Sequence, residues 1–216
     1  MPENHQTVFF DIDNQVDFLL PVGALYVPGA EKLIPALGRL TEFARSRGIP
    51  IISDVDAHAP QDPEFRDWPP HCVRDTLGQR KVAETLLPGA VRIPNDPGPL
   101  PQGWERAPQL IVEKQTLDVF ENHTIARILE ERRAGRYVVY GVVTEYCVRL
   151  AVAGLLEAVR PWGAQVEIVT EAIRELDAAR GRQALDELRA AGARTVTLEE
   201  ALTSAECGVR SAESFR

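Results

Sequence analysis

The chain has 216 residues, 44% of them hydrophobic, which is material for a single domain over residues 1–216 with a full core. Its 24 Lys and Arg stand against 32 Asp and Glu, a net charge of −8 with no basic block, so nucleic acid and anionic membrane surfaces have no electrostatic footing and a small ligand is favoured. Three cysteines do not make a secreted disulfide framework, and no long apolar run or leader-like segment appears, so a cytoplasmic protein that does not span a membrane is expected.

Short apolar runs alternate with stretches of helical periodicity, which predicts an α/β fold. The expected architecture is an open, six-stranded, mostly parallel sheet with helices on both faces, three layers in all. The strands are expected at 8–12, 49–55, 110–113, 137–142, 166–170 and 195–198. Between the first two, Leu33, Leu37, Leu40 and Ala44 mark one face of a helix, with Pro35 in its first turns and Gly48 as its stop. Residues 118–133 and 178–191 read as further helices, and 146–159, apolar nearly all round, as a buried one. Residues 56–80 and 86–108 are long for loops. The first holds two of the four histidines; the second holds nothing reactive and reads as a surface excursion or partner contact. The tail after Cys207 is expected to fray.

Open parallel sheets bind ligands at the carboxyl ends of their strands. Asp13, Asp56, Lys114 and Cys147 are the reactive residues at such ends. Cys147 lies in GVVTEYCV, where Thr144 is a possible N-cap and the thiol falls in the first helical turn. A helix N-terminus and a cation such as Lys114 would both favour the thiolate; a small core residue is the alternative reading. Cys72 and Cys207 are weaker candidates. In an extended segment Asp56 and His58 point to one side, so they can share an ion that His71 closes from the far end of the loop, with Glu64 a possible fourth ligand. Two imidazoles and a carboxylate suit zinc, iron or manganese.

Together these segments resemble the isochorismatase-like cysteine hydrolases, and within that family the nicotinamidases. The matching segments are Asp13-Asn14-Gln15-Val16-Asp17-Phe18 with the glycine-proline stretch from Gly23 to Ala30, Asp56 and His58 with Trp68-Pro69-Pro70-His71-Cys72-Val73, Lys114 after its strand, and Gly141 to Val148. The register of Gln15, Asp17 and Phe18 selects Asp13, not Asp11. Ala57 and Asp75 depart from the nicotinamidase pattern. The resemblance implies Cys147 as nucleophile, Asp13 as proton carrier and Lys114 beside both. It also implies an oxyanion hole from the N–H groups of Val143 and Cys147, with a cis peptide between Val142 and Val143. It further implies one divalent ion, zinc before iron or manganese, on Asp56, His58 and His71, and Phe18 and Trp68 flanking a flat ring. The implied reaction is hydrolysis of a small-molecule amide, nicotinamide first, by a homo-oligomer. Another small amide of the carbamoyl or ureido type, a metal-water hydrolase and a non-catalytic small-amide sensor are the alternatives.

Overall fold

The computed structural model describes residues 5–204. The strands are β1 (His5–Ile12), β2 (Ile51–Asp56), β3 (Val91–Ile93), β4 (Gln109–Lys114), β5 (Ala134–Val142), β6 (Gln165–Arg174) and β7 (Arg194–Val196). They form one sheet in the order β3-β4-β2-β1-β5-β6-β7, and every pair is parallel. The sheet therefore has seven strands where the sequence predicts six. The additional strand, β3, lies inside the stretch expected to be a surface excursion. It has only three residues, Val-Arg-Ile, and pairs at the edge with Leu110 to Val112 of β4. So short a run carries too little pattern to stand out among prolines and glycines.

The helices are α1 (Val16–Leu19), α2 (Ile34–Arg47), α3 (Ile125–Glu131), α4 (Arg149–Val159), α5 (Ala178–Ala190) and α6 (Leu198–Ser204). In α2, Pro35 falls at the start and Gly48 ends the helix in the left-handed conformation, φ 63°. Leu33, Leu37, Leu40 and Ala44 are all buried on the face of the sheet that α1, α2 and α6 cover. The opposite face carries a second core under α3, α4 and α5. Burial on both faces explains why the central strands read as continuous apolar runs. None of the described helices is long and apolar enough to cross a membrane.

Two predicted helices are broken. The stretch 118–133 splits into a 3-10 turn, Val119–Glu121, and α3, because Asn122 competes for backbone partners. Its amide donates to the Glu113 carbonyl at 2.7 Å and its oxygen accepts from the Thr124 N–H at 2.8 Å. The stretch 146–159 yields α4 only from Arg149; a π-turn, Thr144–Val148, precedes it with a kink at Tyr146 (φ −117°, ψ −105°). Thr144 is not a cap. Val143 occupies the N-cap position, and the buried Thr144 hydroxyl has no hydrogen-bond partner among the described residues. Cys207 and the tail beyond it lie outside the described residues.

The strand order determines where the site forms. Strands β4, β2, β1 and β5 are consecutive neighbours in the middle of the sheet, and their carboxyl ends deliver Lys114, Asp56, Asp13 and the turn to Cys147. Asp56 stands in register with Lys114, and Ile12 with both Asp54 and Gly141. Gly141 has φ +126°, and a Cβ there would meet the Ile12 carbonyl oxygen at 2.0 Å. Glycine thus lets β5 pass against β1 just before the chain turns into the Cys147 segment.

Candidate active site

Asp13 follows β1 with φ 47°, a left-handed conformation that turns its carboxylate out of the strand pattern. Lys114, fully buried at the end of β4, places Nζ 2.9 Å from Asp13 Oδ2 and 3.9 Å from Cys147 Sγ, and it also bonds Asp56 Oδ1. Three separate stretches of chain thus meet at one ammonium group. Asp13 Oδ1 is buried without an aligned hydrogen bond among the described residues. Asp11 is engaged elsewhere. Both of its oxygens lie 2.9 Å from Lys81 Nζ, and the Asn14 amide donates to Oδ1 at 2.7 Å.

The electrostatics follow from burial set against Lys114. Burial, reinforced by the neighbouring Asp56 charge, drives the Asp13 carboxyl up to about 6, although Lys114 pulls it down. Burial also pushes the Cys147 thiol well above its ordinary value; Lys114 opposes this, while Asp13 and Asp56 add to it. The sequence suggested that the helix N-terminus and Lys114 would favour a thiolate. In the structure, desolvation and the carboxylates of Asp13 and Asp56 oppose Lys114, so the thiol stands above its ordinary value and not below it. Lys114 remains firmly charged, because Asp13 and Asp56 overcome the penalty of burying it. Asp54 is held well above the carboxylate range by burial and by Asp13, and its Oδ1 lies 3.2 Å from the Asp13 N–H.

Asp56, His58 and His71 converge beside this group. Asp56 Oδ2 lies 3.6 Å from His58 Nε2 and 3.4 Å from His71 Nε2, and the two imidazole rings are 4.8 Å apart. One oxygen and two nitrogens facing a common point are a donor set of the kind that holds a borderline divalent ion. His58 is fully buried; its Nε2, on the Asp56 side, has no hydrogen bond among the described residues, which is what a ligand awaiting an ion would show, while its Nδ1 lies 3.2 Å from Asp62 Oδ2 without being aligned as a hydrogen bond. His71 Nδ1 donates to the Pro69 carbonyl at 2.8 Å, leaving Nε2 as the nitrogen turned toward Asp56. Burial resists protonation of both histidines, yet Asp56 outweighs it and raises them above their ordinary value. Burial likewise resists ionisation of Asp56, but Lys114 and the two imidazoles hold its carboxyl far below the usual range. An ion would take the place of those imidazole protons.

A cavity of about 60 Å³ opens over these residues. It has room for only a handful of waters. Cys147, Val143, Asp56, Glu64 and His71 reach it among walls of Phe18, Trp68, Leu25, Val27, Leu117 and Tyr146. Phe18 meets the His71 ring edge-on at 5.5 Å, and Trp68 meets Tyr146 edge-on at 5.6 Å. The peptide between Val142 and Val143 is cis. The buried Cys72 is not part of this cavity; its N–H donates to Asp17 Oδ2 at 2.7 Å, and burial pushes its thiol up.

Several residues that shape the site carried no function in the sequence reading. Gln15 locks the ligand segment: its Nε2 donates to the Asp56 carbonyl at 2.9 Å and to the Gln79 carbonyl at 2.7 Å, while its Oε1 accepts from the Asp56 N–H at 2.8 Å. Asp17 joins the loop after α1 to the metal loop by accepting from Ala24 and Cys72. Glu145, in the turn before Cys147, accepts from the N–H groups of Leu176 and Asp177, at 3.1 and 2.8 Å. It thereby fastens the start of α5 to the cysteine turn. Gln15 and Asp17 lie inside the quoted motif, so their presence was legible although their partners were not. Tyr146 adjoins Cys147 in sequence and could have been found by that adjacency.

This arrangement of buried thiol, carboxylate and ammonium at the carboxyl edge of a parallel sheet defines a class, and the comparisons give it a family. The Isochorismatase domain model matches residues 7–200, and the chain belongs to that family. Among curated proteins, a nicotinamidase of Escherichia coli (strain K12) is 24% identical, the match covering 88% of this chain and 93% of that protein. Among solved structures, a zinc complex of Pyrococcus horikoshii pyrazinamidase is 27% identical with a TM-score of 0.71, over 89% of this chain and 99% of the other. N-carbamoylsarcosine amidase of Thermoplasma acidophilum, 21% identical, shares the fold with a TM-score of 0.69, covering 90% and 98% of the two chains.

Proposed function

We propose that this protein is a cysteine amidohydrolase acting on a small planar amide, with nicotinamide, hydrolysed to nicotinate and ammonia, as the first substrate to test. The observation that carries the reading is Lys114 Nζ, 2.9 Å from Asp13 Oδ2 and 3.9 Å from Cys147 Sγ, beneath a small aromatic-walled cavity. Membership of the isochorismatase family and the similarity to a nicotinamidase and a pyrazinamidase support it.

In this mechanism Asp13 takes the thiol proton as Cys147 Sγ bonds to the amide carbon. The carbon–nitrogen bond then breaks, and the nitrogen leaves as ammonia with the proton that Asp13 returns. Water, deprotonated by Asp13, adds to the thioester; the carbon–sulfur bond breaks, the acid departs, and the thiol regains its proton. Lys114 stays charged throughout and steadies the carboxylate and the developing thiolate. The backbone N–H groups of Val143 and Cys147 are assigned to the carbonyl oxygen as negative charge builds on it. Phe18 and Trp68 are assigned to the faces of the ring.

Asp56, His58 and His71 would hold one divalent ion, zinc before iron or manganese, and Glu64, half-buried on the same cavity, is the candidate for a further oxygen ligand. When bound, the ion supplies a Lewis-acid anchor for a heteroaromatic nitrogen. Orientation of the amide over Cys147 is the part the surrounding side chains perform. Ammonia release from nicotinamide by the wild-type protein, lost in Cys147→Ala, tests the proposal. Turnover of carbamoyl compounds with none of any pyridine carboxamide would reassign the substrate.

A further inference from the structure

We propose that Asp62 is the positioning residue of the metal loop: its carboxylate fixes His58 by the nitrogen that faces away from Asp56 and His71, and holds the turn that carries Glu64. The proposal rests on the reading of Asp56, His58 and His71 as the ligands of an ion. His58 is fully buried and has two nitrogens to satisfy. Nε2 faces Asp56 and His71. Nδ1 faces Asp62 Oδ2 at 3.2 Å, a side chain itself only 9% exposed. This is the carboxylate–histidine–metal relation, in which an anionic acceptor on one nitrogen fixes the tautomer and ring orientation and makes the other a better donor to a cation.

The second oxygen does different work. Asp62 Oδ1 accepts from the Glu64 N–H at 3.0 Å and caps the 3-10 turn Pro63–Arg66. Pro63, with no N–H to satisfy, follows the cap at the position where proline is best tolerated. The Asp62 carbonyl accepts from the Phe65 N–H at 3.1 Å. That turn delivers Glu64 to the cavity and sets the Phe65 ring 5.3 Å from His58 and 5.8 Å from His71. One aspartate thus links an imidazole ligand, the cavity carboxylate and the aromatic packing that keeps both imidazoles in place. On the side away from Asp56, His71 has the Pro69 carbonyl as its hydrogen-bond acceptor, and His58 has the Asp62 carboxylate at ion-pair distance.

The test is titration of the metal-stripped, full-length protein with Co²⁺, reading affinity and the visible absorption of the adduct. Asp62→Ser retains a good cap but offers nothing to His58. It is expected to bind Co²⁺ about 10- to 100-fold more weakly and with shifted absorption bands. Its melting temperature without metal is expected to match that of the wild type. Asp62→Asn, of the same shape but uncharged, is expected to fall between the two and provides the comparison if the serine variant does not fold. Wild-type affinity and spectrum in either variant would overturn the proposal and reduce Asp62 to a cap. Failure of the wild-type protein to bind Co²⁺ would overturn the metal reading itself, and the proposal with it.

Discussion

Lys114 Nζ is the cation common to Asp13, Asp56 and Cys147, and its removal would leave two buried carboxylates without it. Lys114→Met is therefore expected to lower amide turnover by about 100-fold or more. It should also cost about 3–5 kcal/mol of stability, which urea denaturation reads directly. Asp13 gives the pH dependence a definite sign. Its carboxyl is raised to about 6 by burial against the pull of Lys114, and only the ionised form can take the thiol proton. As pH falls through that value, kcat/KM should drop roughly tenfold per unit, with a plateau on the neutral side. An acid limb near 4, the ordinary range for aspartate, would mean that the carboxylate is solvated during catalysis and that the buried arrangement is wrong.

Between the elements, two contacts set the geometry without touching the cavity. Lys81 bonds both oxygens of Asp11 beneath a chain crossing in which the Arg80 carbonyl accepts from Val16 and the Asn14 carbonyl from Val82. Lys81→Met is expected to destabilise the protein by about 3–5 kcal/mol, since it strands a buried carboxylate, and a thermal melt would detect it. Gly141 has φ +126° against the Ile12 carbonyl, so Gly141→Ala should lower soluble yield and thermal stability, and activity with them, because β5 cannot keep both its register and its distance from β1. What the sequence conveyed of these elements depended on length and burial. The central strands, buried on both faces, announced themselves as apolar runs. The edge strand β3, three residues long, did not, and neither did the interruption at Asn122, whose effect arises from the Glu113 carbonyl in another element.

At the scale of the molecule, the order β4-β2-β1-β5 turns four widely separated sequence positions into one site. That Asp13, Asp56, Lys114 and Cys147 would meet was legible because each is a charged or thiol side chain at or just beyond the carboxyl end of a strand. Leu25 and Leu117, which wall the cavity, are residues of the kind that fill any core, so only the fold distinguishes them. The upward push on the Cys147 thiol was hidden from the sequence for a related reason. A helix N-terminus is visible in sequence, whereas the desolvation and the carboxylates that outweigh it are properties of the folded assembly. The cavity's small volume leads to the expectation that aromatic primary amides of one ring turn over and that peptides and larger amides do not, which a substrate panel monitored by ammonia release would show. The most direct measurement of the central claim is intact-protein mass spectrometry after rapid acid quench of the enzyme with nicotinamide. The expected result is a fraction of the protein heavier by one nicotinoyl group, mapped to Cys147 and absent from Cys147→Ala; undiminished nicotinate formation by Cys147→Ala would contradict it.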